Sequence, residues 1–317
     1  MGTLTRRMLG IPPSETSFAR RGFRGGSAEA RRRFERIGEA FVLGYHEALE
    51  VEAPERPLRG LEIVERELSG FAFEGAAMGF RLLDTLKPWR RNRWQAFVDG
   101  PGRHHAYMVH VGAGWALARL GGNPERFLRH LSPTLRWLVV DGMGFHEGYF
   151  HWPRAVVKRS VPGRLRGYAR RAFDQGLGRS LWFVEGAEPA RIATTISTFD
   201  AMRQADLWSG VGLACAYAGG ADRTAIEALV AAAGGDRLWL AQGAAFAAQA
   251  RERAANPAPH TELACRTLCG LDAARAAALT EEALAGLAEE RSTPVYEVWR
   301  LRLHSGFEPR AAVRVHG

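Results

Sequence analysis

The sequence has few of the residues that mark several common protein classes. Three of its 317 residues are cysteines, which is too few for a disulfide framework and fits a reducing compartment. Lysine is rarer still, because Lys87 and Lys158 are the only two among 43 basic residues. The longest apolar stretch, LWSGVGLACAYAGG from Leu207 to Gly220, is too short to span a bilayer. We therefore expect a cytoplasmic protein, with association to a membrane surface left open.

Several motifs of well-known enzyme and sorting classes are missing as well. The chain contains no GxSxG sequence and no Walker sequence. Gly112-x-Gly114 lacks both the preceding strand and the third glycine of a dinucleotide-binding loop. No apolar run follows Arg6 and Arg7, so a secretory signal is not predicted. These absences argue against a serine hydrolase, a P-loop NTPase, a Rossmann enzyme and a secreted protein.

The positive charge has a simpler explanation than nucleic-acid binding. The formal net charge is +9, but arginine is abundant together with alanine and glycine, which is typical of a GC-rich coding bias. Clusters such as Arg31-Arg32-Arg33 are interpreted as solvated helix faces. We expect no nucleic-acid partner, and keep an acidic protein surface or a membrane surface as alternatives for the basic segment KPWRRNRWQAF.

The spacing of apolar residues predicts a mostly α-helical protein. Phe34, Ile37, Phe41 and Tyr45 follow one another at steps of three and four, which places them on one helix face. Strand patterns are sparse. Only GLEIVERELSGFAFEG, residues 60–75, alternates enough to form either a strand or a helix.

Two similar strings predict an internal duplication. GAGWALARLGG, residues 112–122, and GVGLACAYAGG, residues 210–220, are identical at six of eleven positions. FEGA and VEGA also match, which would make Glu74 and Glu185 equivalent. We therefore expect two helical halves related by a pseudo-twofold axis, with Gly/Ala-rich helices buried between them. The predicted divisions are an N-terminal basic arm (1–30), a first helical half (31–155), a linker with a second half (156–257) and a C-terminal helical extension (258–317).

The stretch VDGMGFHEGYFHW, residues 140–152, carries the most chemistry. Glu147 and His151 are four residues apart and would share one helix face. His146 and His151 are five apart and would face different ways, so the stretch is not an HExxH motif. The Glu-x-x-His spacing of di-iron bundles is also absent. The spacing therefore predicts neither a bound metal nor another cofactor.

An acid–base site is the alternative prediction for this stretch. Gly142 and Gly144 would end one helix and let a new one of about two turns start near Phe145. Glu147 would then lie among aromatic rings, where burial raises the pKa of a carboxyl group. The candidate catalytic residues are Glu147, His146, His151 and Glu74. The candidate ligand-binding residues are Glu185, His105, His110, Trp115, Tyr149 and Tyr217.

Four strings together resemble a known family. GFAFEGAAMGFRLLD, RWQAFVDGPGRHHAYMVHVGAGWALARL, LRWLVVDGMGFHEGYFHW and GVGLACAYAGG are similar to UnbL-type proteins, which are encoded beside the iterative polyketide synthases of enediyne antibiotics. The resemblance extends from about Arg21 to Phe307. It implies a part in converting a linear polyene into an enediyne core, but it brings no assigned reaction and no catalytic residues.

Three functions follow as hypotheses. The first is an enzyme that binds an apolar polyene or polyyne and processes it by proton transfer or cyclisation. The second is a non-catalytic scaffold for the synthase, another pathway protein or a membrane partner. The third is a metal-dependent oxidase or desaturase. A homodimer is compatible with all three. A buried Glu/His set beside an apolar cavity would favour an enzyme, whereas a filled core and a large exposed apolar patch would favour a scaffold.

Overall fold

The computed structural model describes residues 2–56, 58–87, 89, 92–287 and 293–307. Helices dominate these ranges, and no strand occurs within them, so the mostly α prediction is confirmed. The ambiguous segment 60–75 contains no strand; it is helical except at residues 63–65. The α-helices are α1 (Gly2–Leu9), α2 (Phe18–Arg21), α3 (Ala28–Val51), α4 (Arg59–Glu62), α5 (Ser69–Leu86), α6 (Arg93–Asp99), α7 (Ala106–Arg119), α8 (Glu125–Leu128), α9 (Arg136–Phe150), α10 (Tyr168–Val184), α11 (Pro189–Ser197), α12 (Ala201–Ala218), α13 (Arg223–Ala233), α14 (Arg237–Arg253), α15 (Pro259–Leu268), α16 (Ala273–Leu284) and α17 (Val295–Phe307). Short 3-10 turns occupy Pro13–Thr16, Arg66–Leu68, Arg103–His105 and Gly234–Asp236, and a π turn occupies Pro153–Val157.

Seven of these helices, which we call the core helices, form a continuous series. They are α3, α5, α7, α9, α10, α12 and α14, and each packs extensively against the next. Shorter helices lie in the connections between most of them. α12 shows how deeply the series is buried, since every residue from Asp206 to Ala218 is buried. The prediction of buried Gly/Ala-rich helices is thus confirmed for this stretch up to Ala218, where α12 ends.

Neighbouring core helices touch at glycines. Gly176 on α10 lies against the backbone carbonyl of Asp141 on α9, and Gly144 on α9 lies against that of Phe173 on α10. A Cβ atom at either glycine would overlap the facing carbonyl oxygen. Because no side chain separates them, the two backbones approach more closely than ordinary helix packing allows. Glycines that meet a neighbouring core helix in this way are Gly44, Gly75, Gly112, Gly114, Gly142, Gly144, Gly176, Gly178, Gly210, Gly212 and Gly243.

These glycines repeat along the chain at intervals of 30 to 37 residues. In α9, α10 and α12 the first glycine of a Gly-x-Gly sequence faces the preceding core helix, and the second faces the following one. One core helix with its connection is therefore the repeating unit. The twofold duplication is not confirmed. The strings beginning at Gly112 and Gly210 are two copies of this shorter repeat, and the FEGA/VEGA match joins unlike elements, because Gly75 is helical whereas Gly186 lies in a turn at φ 63°.

At least two pairs of neighbouring core helices run parallel. Gly144 of α9 faces Phe173 of α10, and further along both helices Gly148 faces Ser180. In α3 and α5 the contacting residues likewise follow one another in the same direction along both helices. Parallel neighbours need a connection that returns to the starting end, so the interval of about 33 residues accommodates one helix and its return.

The first and last helical segments of the described residues pack on this series. Ile11 and Phe18 are buried, and the guanidinium of Arg21 donates hydrogen bonds to the carbonyl oxygens of Tyr149 and Phe150, at 3.0 and 2.8 Å. α15, α16 and α17 pack against α14. The division of the chain into domains stays a prediction. Among the described helices, none combines the length and the apolar character that a membrane span requires.

Candidate functional site

Two apolar slots open between the core helices. The first slot is a narrow gap of about 40 Å³ between α3, α5, α7, α9 and α10. The second slot is about 30 Å³ and is bounded by α7, α9, α10, α12, α14 and α17. Aromatic rings dominate the wall of the first slot, and aromatic and aliphatic side chains share the wall of the second. Residues lining the first slot include Ile37, Phe41, Phe71, Glu74, Trp115, Phe145, Tyr149 and Phe183, and those lining the second include Tyr107, Met108, Arg179, Leu213, Tyr217, Phe246 and Trp299.

A layer one side chain thick separates the two slots. Phe71 of the first slot meets Tyr217 of the second edge-on, with ring centroids 5.2 Å apart. The Arg179 guanidinium of the second slot lies 4.6 Å from the centre of the Phe145 ring of the first. The two slots therefore lie side by side in the protein interior, separated by these side chains.

Glu74 is the buried acidic group of the first slot. Its side chain extends from α5 into the first slot, is 1% exposed, and accepts no hydrogen bond at either carboxyl oxygen. Burial raises the pKa of Glu74 to about 8, although the charge of Arg179 and the nearby Trp115 indole oppose this rise. The carboxyl group is therefore mostly protonated at neutral pH and can donate a proton. Two other buried groups along the slots, Trp115 Nε1 and the Tyr217 hydroxyl, also lack hydrogen-bond partners.

A satisfied polar network lies next to Glu74. Arg179 donates to Asp141 at 2.6 Å, and the Gln175 amide donates to Asp141 and to the Tyr296 hydroxyl, at 2.9 Å each. Asp141, Gln175 and Arg179 were not predicted as site residues. A sequence signal was present, because the residue before the first repeat glycine is polar in five core helices: Glu74, Asp141, Gln175, Ser209 and Gln242.

Glu147 forms a second charged cluster at the end of α9. It is 6% exposed and pairs with Arg154. Its two carboxylate oxygens lie 3.5 Å from His146 Nδ1 and from His151 Nδ1, respectively. The predicted rise in the pKa of Glu147 is wrong: burial does raise it, but the contacts with His146 and Arg154 outweigh burial and lower it to about 2. Glu147 is thus a carboxylate at neutral pH.

The path of α9 explains why both histidines reach Glu147. The helix runs without a break from Arg136 to Phe150, so Gly142 and Gly144 do not end it as predicted. It ends at His151, whose φ of −128° lies outside the helical range. The two imidazole rings come within 5.6 Å of each other between centroids, and the prediction that they face different ways is wrong. One ligand atom from each of His146, Glu147 and His151 lies within 4.8 Å of the others.

Comparison with protein-family models assigns this chain to a family. The family model of DUF1702, described as a protein of unknown function, matches residues 1–307. The chain belongs to the DUF1702 family. Comparisons with curated proteins and with solved structures find no match. The family assignment carries no reaction, so the enediyne context stays a prediction.

The remaining predicted ligand-binding residues of this DUF1702 protein divide into two groups. Trp115 and Tyr149 line the first slot, and Tyr217 lines the second. His105 stacks on Phe73 with centroids 4.1 Å apart, and His110 Nδ1 lies 2.7 Å from the Ala106 carbonyl in its own helix. Burial lowers the pKa of both histidines to about 4, so they are neutral.

Glu185 also lies away from the slots. Its carboxylate pairs with Arg24 and with Arg191, and it accepts a hydrogen bond from Thr195 at 2.7 Å. These partners come from the N-terminal segment and from α11. Glu185 therefore holds the N-terminal segment and α11 against the end of α10, which is a structural role.

Replacing Glu74 by glutamine should change how stability depends on pH. The pKa of Glu74 is higher in the folded protein than in the unfolded chain, so the stability gained from its proton is complete below pH 4.5 and is lost as pH rises through about 8. From pH 6 to 8 the wild-type protein should lose about 2 kcal/mol of unfolding free energy relative to Glu74→Gln, at about 1.4 kcal/mol per pH unit.

Urea unfolding at matched pH values measures this difference. Subtracting the two variants cancels the titration of histidines and cysteines, which is common to both. Parallel stability curves for wild type and Glu74→Gln between pH 6 and 8 would show that Glu74 is ionised in the folded protein.

Proposed function

We propose that this DUF1702 protein binds an elongated, apolar, conjugated molecule in its two slots and transfers a proton to it from Glu74. The observation that supports the proposal is a fully buried carboxyl group, without a hydrogen-bond partner, in a slot lined by aromatic rings. A buried polar group without a partner is destabilising. Such a group is tolerable where it acts on a ligand that has no hydrogen-bonding atoms of its own.

The proposed proton transfer needs no reactant other than the ligand and Glu74. The neutral Glu74 carboxyl group donates its proton to a carbon of the conjugated chain, which leaves a delocalised cation and a carboxylate. The faces of Trp115 and Phe145 stabilise that cation through their π-electrons. Glu74 then takes a proton from a different carbon, and the double bonds have moved along the chain. Alternatively, attack on the cation by a second double bond closes a ring before that proton is lost.

The proposed ligand class agrees with what the resemblance to UnbL-type proteins implies. A linear polyene from an enediyne polyketide synthase is long, apolar and conjugated, so it matches the apolar lining of the two slots, which have to widen to admit it.

Proton exchange in D₂O tests the proposal directly. The protein is incubated with a linear all-trans conjugated polyene hydrocarbon, and deuterium in the recovered polyene is measured by mass spectrometry. Wild type should incorporate deuterium with turnover. Glu74→Gln should reduce incorporation at least 100-fold, because general acid–base catalysis contributes about 10² to 10⁴ in rate.

Two control variants test whether the exchange depends on Glu74 and on the first slot. Glu15 also lines the first slot but pairs with Arg21, so Glu15→Gln should keep the exchange. Val42→Phe, which fills the slot, should weaken binding as measured by the fluorescence of the polyene. Equal exchange by wild type and Glu74→Gln would refute the catalytic role, and an absence of saturable polyene binding by wild type would refute the ligand class.

A further inference from the structure

The cluster at the end of α9 has the composition of a metal site. Two imidazole nitrogens and one carboxylate come from His146, Glu147 and His151, within eight residues of a single helix end. Neutral imidazole suits zinc, iron, copper and nickel ions, and two histidines with one carboxylate and open positions are the ligand set of non-haem ferrous sites. Calcium and magnesium prefer oxygen ligands only.

The separations are close to those around one ion. Two ligand atoms that are each about 2.1 Å from a tetrahedral ion lie ~3.4 Å apart. His146 Nδ1 is 3.5 Å from one Glu147 oxygen and His151 Nδ1 is 3.5 Å from the other, and the three ligand atoms lie within 4.8 Å of one another, so one side chain has to move inward to complete the site. The His151 side chain is 49% exposed and can rotate to complete the geometry, while the other two ligands are held by the core.

A second observation points to a ligand at this position. His146 is 4% exposed, and its Nδ1 atom, which is directed towards Glu147, makes no hydrogen bond. Buried polar atoms in folded proteins nearly always have a partner. A cation bound between His146 Nδ1 and Glu147 would supply one.

We infer that His146 Nδ1, Glu147 and His151 Nδ1 bind a divalent first-row transition-metal ion. Arg154 occupies Glu147 when the ion is absent, and its side chain is 59% exposed, so it can leave the carboxylate without disturbing the core. The site is one side chain away from the first slot, because the His146 ring packs against Trp115 and Phe150, which both line that slot.

Metal titration of the tag-free, chelator-treated protein tests the inference. Cobalt(II) should bind at a 1:1 ratio and give the visible absorption of a nitrogen-coordinated ion, and zinc(II) should displace it. His151→Ala and Glu147→Gln should each weaken binding at least 10-fold. Arg154→Ala should tighten it several-fold, because it removes the competing charge from Glu147. His130→Ala, which alters an exposed histidine on another part of the chain, should bind as wild type does.

Two results would contradict the inferred metal site. An absence of 1:1 binding in both wild type and Arg154→Ala would overturn the site. So would equal affinities of His151→Ala and wild type. This measurement needs no polyene and no turnover, so its outcome is independent of the function proposed for Glu74.

Discussion

Gly176→Ala is expected to destabilise the protein by at least about 3 kcal/mol. The new Cβ would overlap the carbonyl oxygen of Asp141, and its next nearest atoms are also backbone of α9, which cannot move aside as a side chain can. Overpacking of a dense core typically costs about 1–3 kcal/mol and more when backbones must separate. This loss exceeds the ~1 kcal/mol that alanine gains over glycine inside a helix. Chemical unfolding of the purified variant measures the difference.

Gly163→Ala is the matched control. Gly163 lies outside the core helices and has no atom within 4 Å of the position that a Cβ would take. Alanine there should change stability by less than about 1 kcal/mol, with a gain if it restricts the unfolded chain. If both variants unfold at the same urea concentration, the close approach of α9 and α10 does not depend on glycine.

Arg179→Met is expected to cost about 3–5 kcal/mol of stability. Arg179 is 3% exposed and its partner Asp141 is fully buried, so the substitution leaves an uncompensated carboxylate inside the protein. Breaking a buried ion pair by removing one partner has an effect of this size, because the remaining charge cannot reach water. The nearby Glu74 should also become harder to ionise, since the charge of Arg179 now lowers its pKa.

The double variant Arg179→Met, Asp141→Asn separates charge from packing. It contains no unpaired ion, and the asparagine side chain keeps the shape of the aspartate, so most of the lost stability should return. Thermal unfolding of the two single variants and the double variant gives the coupling energy. A double variant no more stable than Arg179→Met would mean that Arg179 acts through its packing on Phe145.

The fold class was predictable because it depends on local patterns. Apolar residues at steps of three and four, such as Phe34, Ile37 and Phe41, predict helices wherever the chain lies in space. The burial of the Gly/Ala-rich helices was predictable too, because small residues recur in both strings. The spacing of the glycine repeat was predicted wrongly, however, because the comparison used two strings 98 residues apart. The positions of Gly142, Gly176 and Gly243 reveal the shorter repeat of about 33 residues.

The sequence pointed to the buried acidic residues but not to their geometry. Glu74 and Glu147 were both named, yet the protonation state of Glu147 is the reverse of what its apolar neighbours in sequence suggested. The pKa of a carboxyl group depends on partners in space, and Arg154 pairs with Glu147 beyond the end of α9. Helix spacing likewise could not place His151, because that spacing holds only while the helix continues.

The backbone-to-backbone contacts of the core helices have a consequence for how this scaffold can change. The helices are aligned by contacts between glycines and backbone carbonyls. The side chains that line the slots contribute less to this alignment; examples are Ile37, Phe71 and Leu213. Substitutions there would reshape the interior while the framework stays in place. A chain built in this way can acquire a preference for a molecule of different length or curvature without passing through misfolded intermediates, which makes it a suitable starting point for directed evolution.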